Sequence, residues 1–294
     1  MYLKPRKWYH HRIFPEPIND KYMQIFDNIF LLLSVSILLM CSSAQESLQA
    51  SHQKEYPNVA LSKELVRAAR EGTDASEIMD KLATVSVEEL STELDSDEAS
   101  KAFWINVYNG YVQNILTKRP ELFEDRGAFF KKDQIRVAGE LISLDKIEHG
   151  IIRGSKIKWL LGLVSNPFVD KYERTFRMSQ ADGRIHFALN CGAKSCPYIA
   201  IYDAPFMDEQ LDEISRQFLN RNSTYSPEEN RVNVTSLFSW FRGDFGGKSG
   251  IRDYLKKYDV IPPDSKPSLS FDDYDWTLEL GNYTDLSAGK TAAR

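Results

Sequence analysis

The sequence predicts an α+β fold, a single mixed domain with helices packed on a small, mostly antiparallel sheet. Helix-period and strand-period segments mix without a regular βαβ alternation. No internal repeat and no domain boundary interrupts residues 58–280. Of the 294 residues, 42% are hydrophobic and 12% aromatic, enough for one large core. The net charge of −5, with no long basic cluster after the N-terminal region, excludes a nucleic-acid binder that works by neutralising phosphates.

Lys4, Arg6, Lys7, Arg12 and Lys21 precede an apolar run from Ile29 to Met40. The run is short for a bilayer span but fits the core of a signal peptide. Ser42-Ser-Ala44 offers small residues before a cut at Gln45. Residues 1–44 are therefore expected to be a signal segment, which leaves a mature chain near −7. The protein is expected to be exported, periplasmic or extracellular. Contact with a membrane is expected only through a retained signal or a lipidated Cys41. In an oxidising compartment the two remaining cysteines, Cys191 and Cys196, can form a disulfide.

Residues 45–57 read as a polar linker. Ala60–Gly72 and Ala75–Leu82 read as short amphipathic helices, the first ended by Gly72. Ser86-Val-Glu-Glu89 is a capping box. Ser96–Leu116 carries a helix apolar nearly all round, and its one polar stripe holds Asn106, Asn109, Gly110 and Gln113 in place of Lys and Glu. Such amides are buried and need partners, either a structural network or the wall of a pocket. Ile135–Val137 and Leu141–Ile142 form a hairpin around Ala138-Gly139. Ser143 then caps a helix, Leu144–Arg153. Glu148 sits within that helix's apolar arc, with His149 at the edge and Arg153 a turn on. A carboxylate there belongs to a buried ion pair or an active site.

Trp159–Phe168 is apolar. Arg184–Asn190 is predicted as a buried strand, with Ile185, Phe187 and Leu189 on one face and His186, Ala188 and Asn190 on an open one. The loop Cys191-Gly-Ala-Lys-Ser-Cys-Pro197 follows. Phe206–Leu219 is an amphipathic helix, Arg221–Glu229 a turn-rich loop, Arg231–Thr235 a strand and Leu237–Phe241 a helical aromatic segment. Arg242-Gly-Asp244 reads as turn chemistry. Ile251–Tyr258 is a helix, Leu269–Leu280 a last strand, and residues 281–294 a flexible tail.

Ala102-Phe-Trp-Ile-Asn-Val-Tyr-Asn109, Ser143 to Arg153, Ile185 to Pro197 and Tyr274-Asp-Trp-Thr-Leu278 together resemble the family called domain of unknown function 547, across residues 95–280. The resemblance implies that the two amides, Glu148, His149, His186 and both loop cysteines belong to the family pattern. It implies no particular reaction.

The sharpest chemistry these residues offer is a cysteine-dependent hydrolase or acyl transferase. Cys196, beside the cation of Lys194, is the candidate nucleophile, because a thiolate is the reactive form. His186 is the candidate base, with Glu148 and His149 as the alternative pair. Asn190 or a helix amide would orient the base or donate to an oxyanion. Asn106, Asn109, Gln113 and Lys194 are expected to bind substrate, an unidentified small molecule or peptide. No cofactor is expected. The alternative is a non-enzymatic ligand- or partner-binding domain with a Cys191–Cys196 disulfide. Further alternatives are a metal site from His149, His186, Cys191 and Cys196, and thiol redox chemistry at the cysteine pair.

Overall fold

The computed structural model describes residues 54–156, 164 and 166–288. The expected signal segment, residues 45–53 of the linker, most of the apolar run 159–168 and residues 289–294 lie outside the described residues. From Tyr56 onward the chain forms one unit.

Its centre is a helix over Asp97–Lys118, here α4, following α1 (Pro57–Glu71), α2 (Ser76–Thr84) and α3 (Val87–Glu93). Ser96 caps α4 by accepting from the Ala99 N–H, and Asp97 and Glu98 favour its positive end. Phe103, Trp104, Ile105, Val107 and Val112 are fully buried, so this helix is core on all sides. Each large side chain so buried contributes about 2–3 kcal/mol. At Gly110 a Cβ would lie 2.6 Å from Leu65 Cγ, so only glycine allows α1 to pack this closely. The buried Glu93 carboxylate accepts from the backbone N–H groups of Asn58 and Val59 at 2.8 and 3.0 Å, holding the start of α1. Gly72 ends α1 in the left-handed conformation. Ser86 caps α3 through the Glu89 N–H.

After a 3-10 turn over Pro120–Asp125 comes α5 (Arg126–Lys131), then the expected hairpin of β1 (Ile135–Val137) and β2 (Glu140–Ile142). Ala138 and Gly139 both have positive φ, the geometry of a two-residue hairpin turn. The turn donates to Leu82 and Ala83 carbonyls, docking the hairpin on α2.

Four later segments differ from expectation. The helix capped by Ser143 is wound as a π-helix over Lys146–Ile152, with the Arg153 N–H donating to the Glu148 carbonyl. Arg184–Asn190 is not a strand; Gly183–Phe187 is a 3-10 turn capped by Asp182. The alternation of residue types misleads here because Ile185 through Asn190 are all buried, so neither set faces outward. Asn109 also takes backbone groups that a sheet partner would need, donating to the Ala188 carbonyl and accepting from the Asn190 N–H. The predicted last strand is short: β5 covers only Ser268–Phe271, parallel to β4 (Arg231–Val234), which pairs antiparallel with β3 (Thr224–Ser226). The chain then crosses the cysteine loop, where Thr277 and Asp275 carbonyls accept from the Lys194 and Ser195 N–H groups. Residues 281–288, expected to begin a flexible tail, are fastened as well. Gly281 donates to Gln113, and the Ser287 N–H to Glu213.

The helix α6 (Lys171–Phe176) packs on the π-helix. The remaining helices are α7 (Met207–Arg221), α8 (Leu237–Trp240) and α9 (Gly247–Lys257). With the three-stranded sheet, α7, α8 and α9 enclose a second apolar cluster around Phe187, Phe218, Phe238 and Phe245. Two small sheets among many helices make this the α+β domain that the sequence predicts.

Candidate functional site

Residues of the core around α4 and of this second cluster together line a cavity of about 470 Å³, within the usual size of small-molecule sites. Cys191, Cys196, His186 and Leu189 reach it from the central stretch, Glu148 and Asp145 from the π-helix segment, and Tyr108 from α4. Arg126, Gly127, Phe130 and Lys131 of α5 form one side. Leu237, Trp240, Phe241, Tyr274 and Trp276 supply an apolar wall.

The loop that carries the thiols is held from behind. Asn190 accepts from the Gly192 N–H at 2.9 Å and donates to the Pro197 carbonyl at 2.7 Å, closing the loop on itself. Gly192, at φ +89°, occupies backbone space that other residues rarely adopt. The closed loop brings the Cys191 N–H to within 3.1 Å of Cys196 Sγ, and Tyr274 donates to the same sulfur at 3.2 Å. Cys191 Sγ lies 3.9 Å from the same Tyr274 hydroxyl. Both cysteines are free thiols.

Burial pushes the Cys196 pKa up, but hydrogen bonds from Cys191 and Tyr274 outweigh it, and the net shift is downward. The Cys191 thiol is pushed well above the ordinary value by its contact with Cys196 and by burial. Negative charge in this pair therefore belongs on Cys196. Burial and the neighbouring sulfurs raise Tyr274 strongly, so its hydroxyl stays protonated as the donor. Tyr108 is likewise held protonated by burial and by Glu148, to which its hydroxyl donates at 3.4 Å.

His186 is fixed by a residue read from the sequence as a turn. Its Nε2 lies 2.8 Å from Asp244 Oδ2, and its ring stacks on Phe241 at 3.9 Å. Arg153 donates to the same Oδ2 from Nε at 2.6 Å, and neither Arg153 nor Asp244 side chain touches solvent. Asp244 is lowered: desolvation opposes this, but its bonds to His186 and Arg153 prevail. An ionised Asp244 accepts, so Nε2 carries the imidazole proton and Nδ1 keeps its lone pair. Burial is the largest influence on His186 and lowers its pKa, which keeps the ring neutral near neutral pH. Arg153 also donates to His149 Nδ1 at 2.9 Å, and His149 Nε2 is 3.7 Å from Asp145.

Of the residues expected to act in catalysis, Cys196, His186 and Glu148 line one cavity, whereas Asn190 and His149 do not. Asp244, not Asn190, orients His186, because both ends of the Asn190 amide are spent on the loop. The expected substrate contacts are also relocated. Asn106 donates to the Tyr202 carbonyl and accepts from the Tyr202 N–H, and Asn109 is spent on residues 188 and 190. Gln113 donates weakly to Asn190 and accepts from Gly281. This stripe clamps backbone and is not part of the cavity lining. Lys194 is exposed and paired with Asp275 at 3.3 Å, so it is not the cation that favours the thiolate. The metal alternative finds no support in the geometry: among the described residues no group of three His, Cys, Asp or Glu side chains is placed to hold an ion.

Sequence reasoning missed Asp244, Tyr108, Arg126, Lys131 and Trp240 as site residues. One signal pointed to Asp244. Arg153 follows Glu148 on an apolar helix, and a buried guanidinium requires an acidic partner somewhere in the chain.

Residues 92–219 match the family model described as "Protein of unknown function, DUF547". That stretch carries Tyr108, Arg126, Lys131, Glu148, His186 and Cys196, while Trp240, Asp244, Tyr274 and Trp276 lie beyond it. No curated protein and no solved structure matches the chain.

Proposed function

We propose that this chain, a member of the DUF547 family, is an exported cysteine-dependent hydrolase or acyl transferase with Cys196 as nucleophile and His186 as base. The observation that carries the reading is the double hydrogen bond to Cys196 Sγ from the Cys191 N–H and the Tyr274 hydroxyl, at a sulfur that lines a cavity. Sulfur that accepts two hydrogen bonds is disposed to be thiolate.

In the proposed reaction the thiol proton passes to His186 Nδ1, giving an imidazolium that Asp244 stabilises. The Cys196 sulfur then bonds to the acyl carbon, and the bond from that carbon to the leaving group breaks. The imidazolium returns its proton to the leaving group. In the second half His186 takes a proton from water, or from an acceptor alcohol or amine, whose oxygen or nitrogen attacks the thioester. Cys196 departs as thiolate and is reprotonated from His186. Asp244 and Arg153 act as positioning residues, fixing the tautomer and the ring plane.

The test is intact-mass analysis after mixing the protein with a small activated ester such as p-nitrophenyl acetate. The expected product is a single acetyl adduct on Cys196 that is absent in Cys196→Ser and retained in Cys191→Ser. Acetylation that persists in Cys196→Ser would refute the assignment.

The apolar wall favours a second reading, a cavity that binds a ligand without chemistry. Complete absence of acylation, together with saturable binding, would select it. Export is tested separately by the N-terminal mass of the natively produced protein. A start at Gln45 is expected; a mass that includes residues 1–44 would contradict cleavage, and recovery of the protein only from the cytoplasm would contradict export.

A further inference from the structure

The mouth of the cavity has a chemistry of its own. Trp240 and Trp276 are 36% and 37% exposed and stack at 5.6 Å, with Tyr274 packed against both. The Arg126 guanidinium lies 4.8 Å from the centre of the Trp276 ring. Lys131, at the other end of α5, lines the same side of the cavity. Among the described residues Arg126 and Lys131 form no ion pair with a carboxylate, whereas Lys146 pairs with Asp170 and Lys194 with Asp275. An arginine stacked on an indole keeps its N–H fork free, and that fork matches the two oxygens of a carboxylate or phosphate.

We propose that the substrate of this site is an acyl compound with an apolar body and an anionic head, a carboxylate or phosphate. The body lies on the Trp240, Trp276 and Leu237 wall, and the head is held at the rim by Arg126 and Lys131. The proposal rests on the reading of this cavity as the place where Cys196 meets its substrate. Glu148 and Asp145 line the same cavity, so the side formed by Arg126 and Lys131 is the one that suits an anion, and a head held there leaves the acyl carbon as the part that reaches the thiol.

Binding can be separated from chemistry in the full chain carrying Cys196→Ser. Tryptophan fluorescence is titrated with octanoate and octyl phosphate, and with octanol and octyltrimethylammonium as the neutral and cationic counterparts, all below their micelle concentrations. The expected result is saturable quenching by one or both anions and at least about tenfold weaker binding of the other two, a difference of about 1.4 kcal/mol. Arg126→Gln with Lys131→Gln should remove that preference while the circular dichroism spectrum stays unchanged. Quenching by octanoate alone identifies a carboxylate head, and quenching by octyl phosphate alone a phosphate head. Equal binding of octanol, tighter binding of the cation, or no saturable binding would overturn the proposal. Because the variant lacks the Cys196 thiol, these outcomes are independent of whether Cys196 is acylated.

Discussion

The amide stripe of α4 and the cavity beside it are both polar patches in a buried setting, yet their hydrogen bonds are spent differently. Asn106 and Asn109 each clamp a backbone segment, donating and accepting across 79 to 96 residues of sequence. Asn190 does the same within its own loop. In the cavity, Cys196 Sγ accepts two bonds, and His186 is anchored through one nitrogen. A polar side chain whose capacity is spent on backbone maintains the fold. One that is anchored on one side, and lines a cavity on the other, is placed to react.

Substitutions should divide along that line. The largest effect is expected from Cys196→Ser, which should lower labelling by thiol-directed reagents at this position roughly 100-fold or more with little loss of stability, since a serine hydroxyl is a far weaker nucleophile than a thiolate. Mass mapping of the labelled peptide reads this directly. Asn106→Ala should do the opposite. It leaves the Tyr202 N–H and carbonyl unpaired in the core, costing about 3 kcal/mol in urea unfolding, while Cys196 labelling holds its wild-type rate. A variant that kept its stability but lost labelling would break the comparison.

Tyr274→Phe removes one of the two donors to Cys196. A hydrogen bond to a charged group contributes about 1.5 kcal/mol, so the thiolate fraction near neutral pH should fall about tenfold. The readout is the labelling rate at fixed pH. An unchanged rate would show that the Cys191 N–H alone sustains the thiolate.

A smaller effect concerns pH and stability. His186 has its pKa lowered in the folded state from an ordinary 6.5, so the unfolded chain binds the proton more readily. Its contribution to stability is therefore full above about 6.5 and declines as pH falls below it. Asp244, lowered from 3.8, contributes stability that is lost only as pH falls through and below that value. Urea midpoints at pH 7.5 and 5.5 should differ more for the wild type than for His186→Gln. Equal differences in the two proteins would contradict the burial of a neutral imidazole.

The helices were legible because their signals are local. Ser86 and Ser143 each cap the element that they announce, and Gly72 ends its helix. Ala138-Gly139 likewise marks the hairpin turn. The stretch around His186 was misread because alternation implies a strand only when one face meets solvent, and here both are buried. The candidacy of Cys196, His186 and Glu148, which line one cavity, could be seen in their residue types and in the cost of burying them. Their companions could not. Asp244 meets His186 across 58 residues, and Tyr274 meets Cys196 across 78, with no periodic pattern to join them. The roles of the amides were undecidable because an amide that clamps backbone and one that lines a pocket look alike until their partners are known.

The central claim is that the reactive thiolate sits on Cys196 and not on Cys191. The rate of iodoacetamide labelling of each cysteine in the native protein, measured by peptide mapping from pH 5 to pH 10, tests it most directly. The account predicts that Cys196 is labelled first, with a midpoint below that of an ordinary thiol, while Cys191 reacts slowly throughout. Labelling of Cys191 first, or a Cys196 midpoint at or above that of a free thiol, would contradict it.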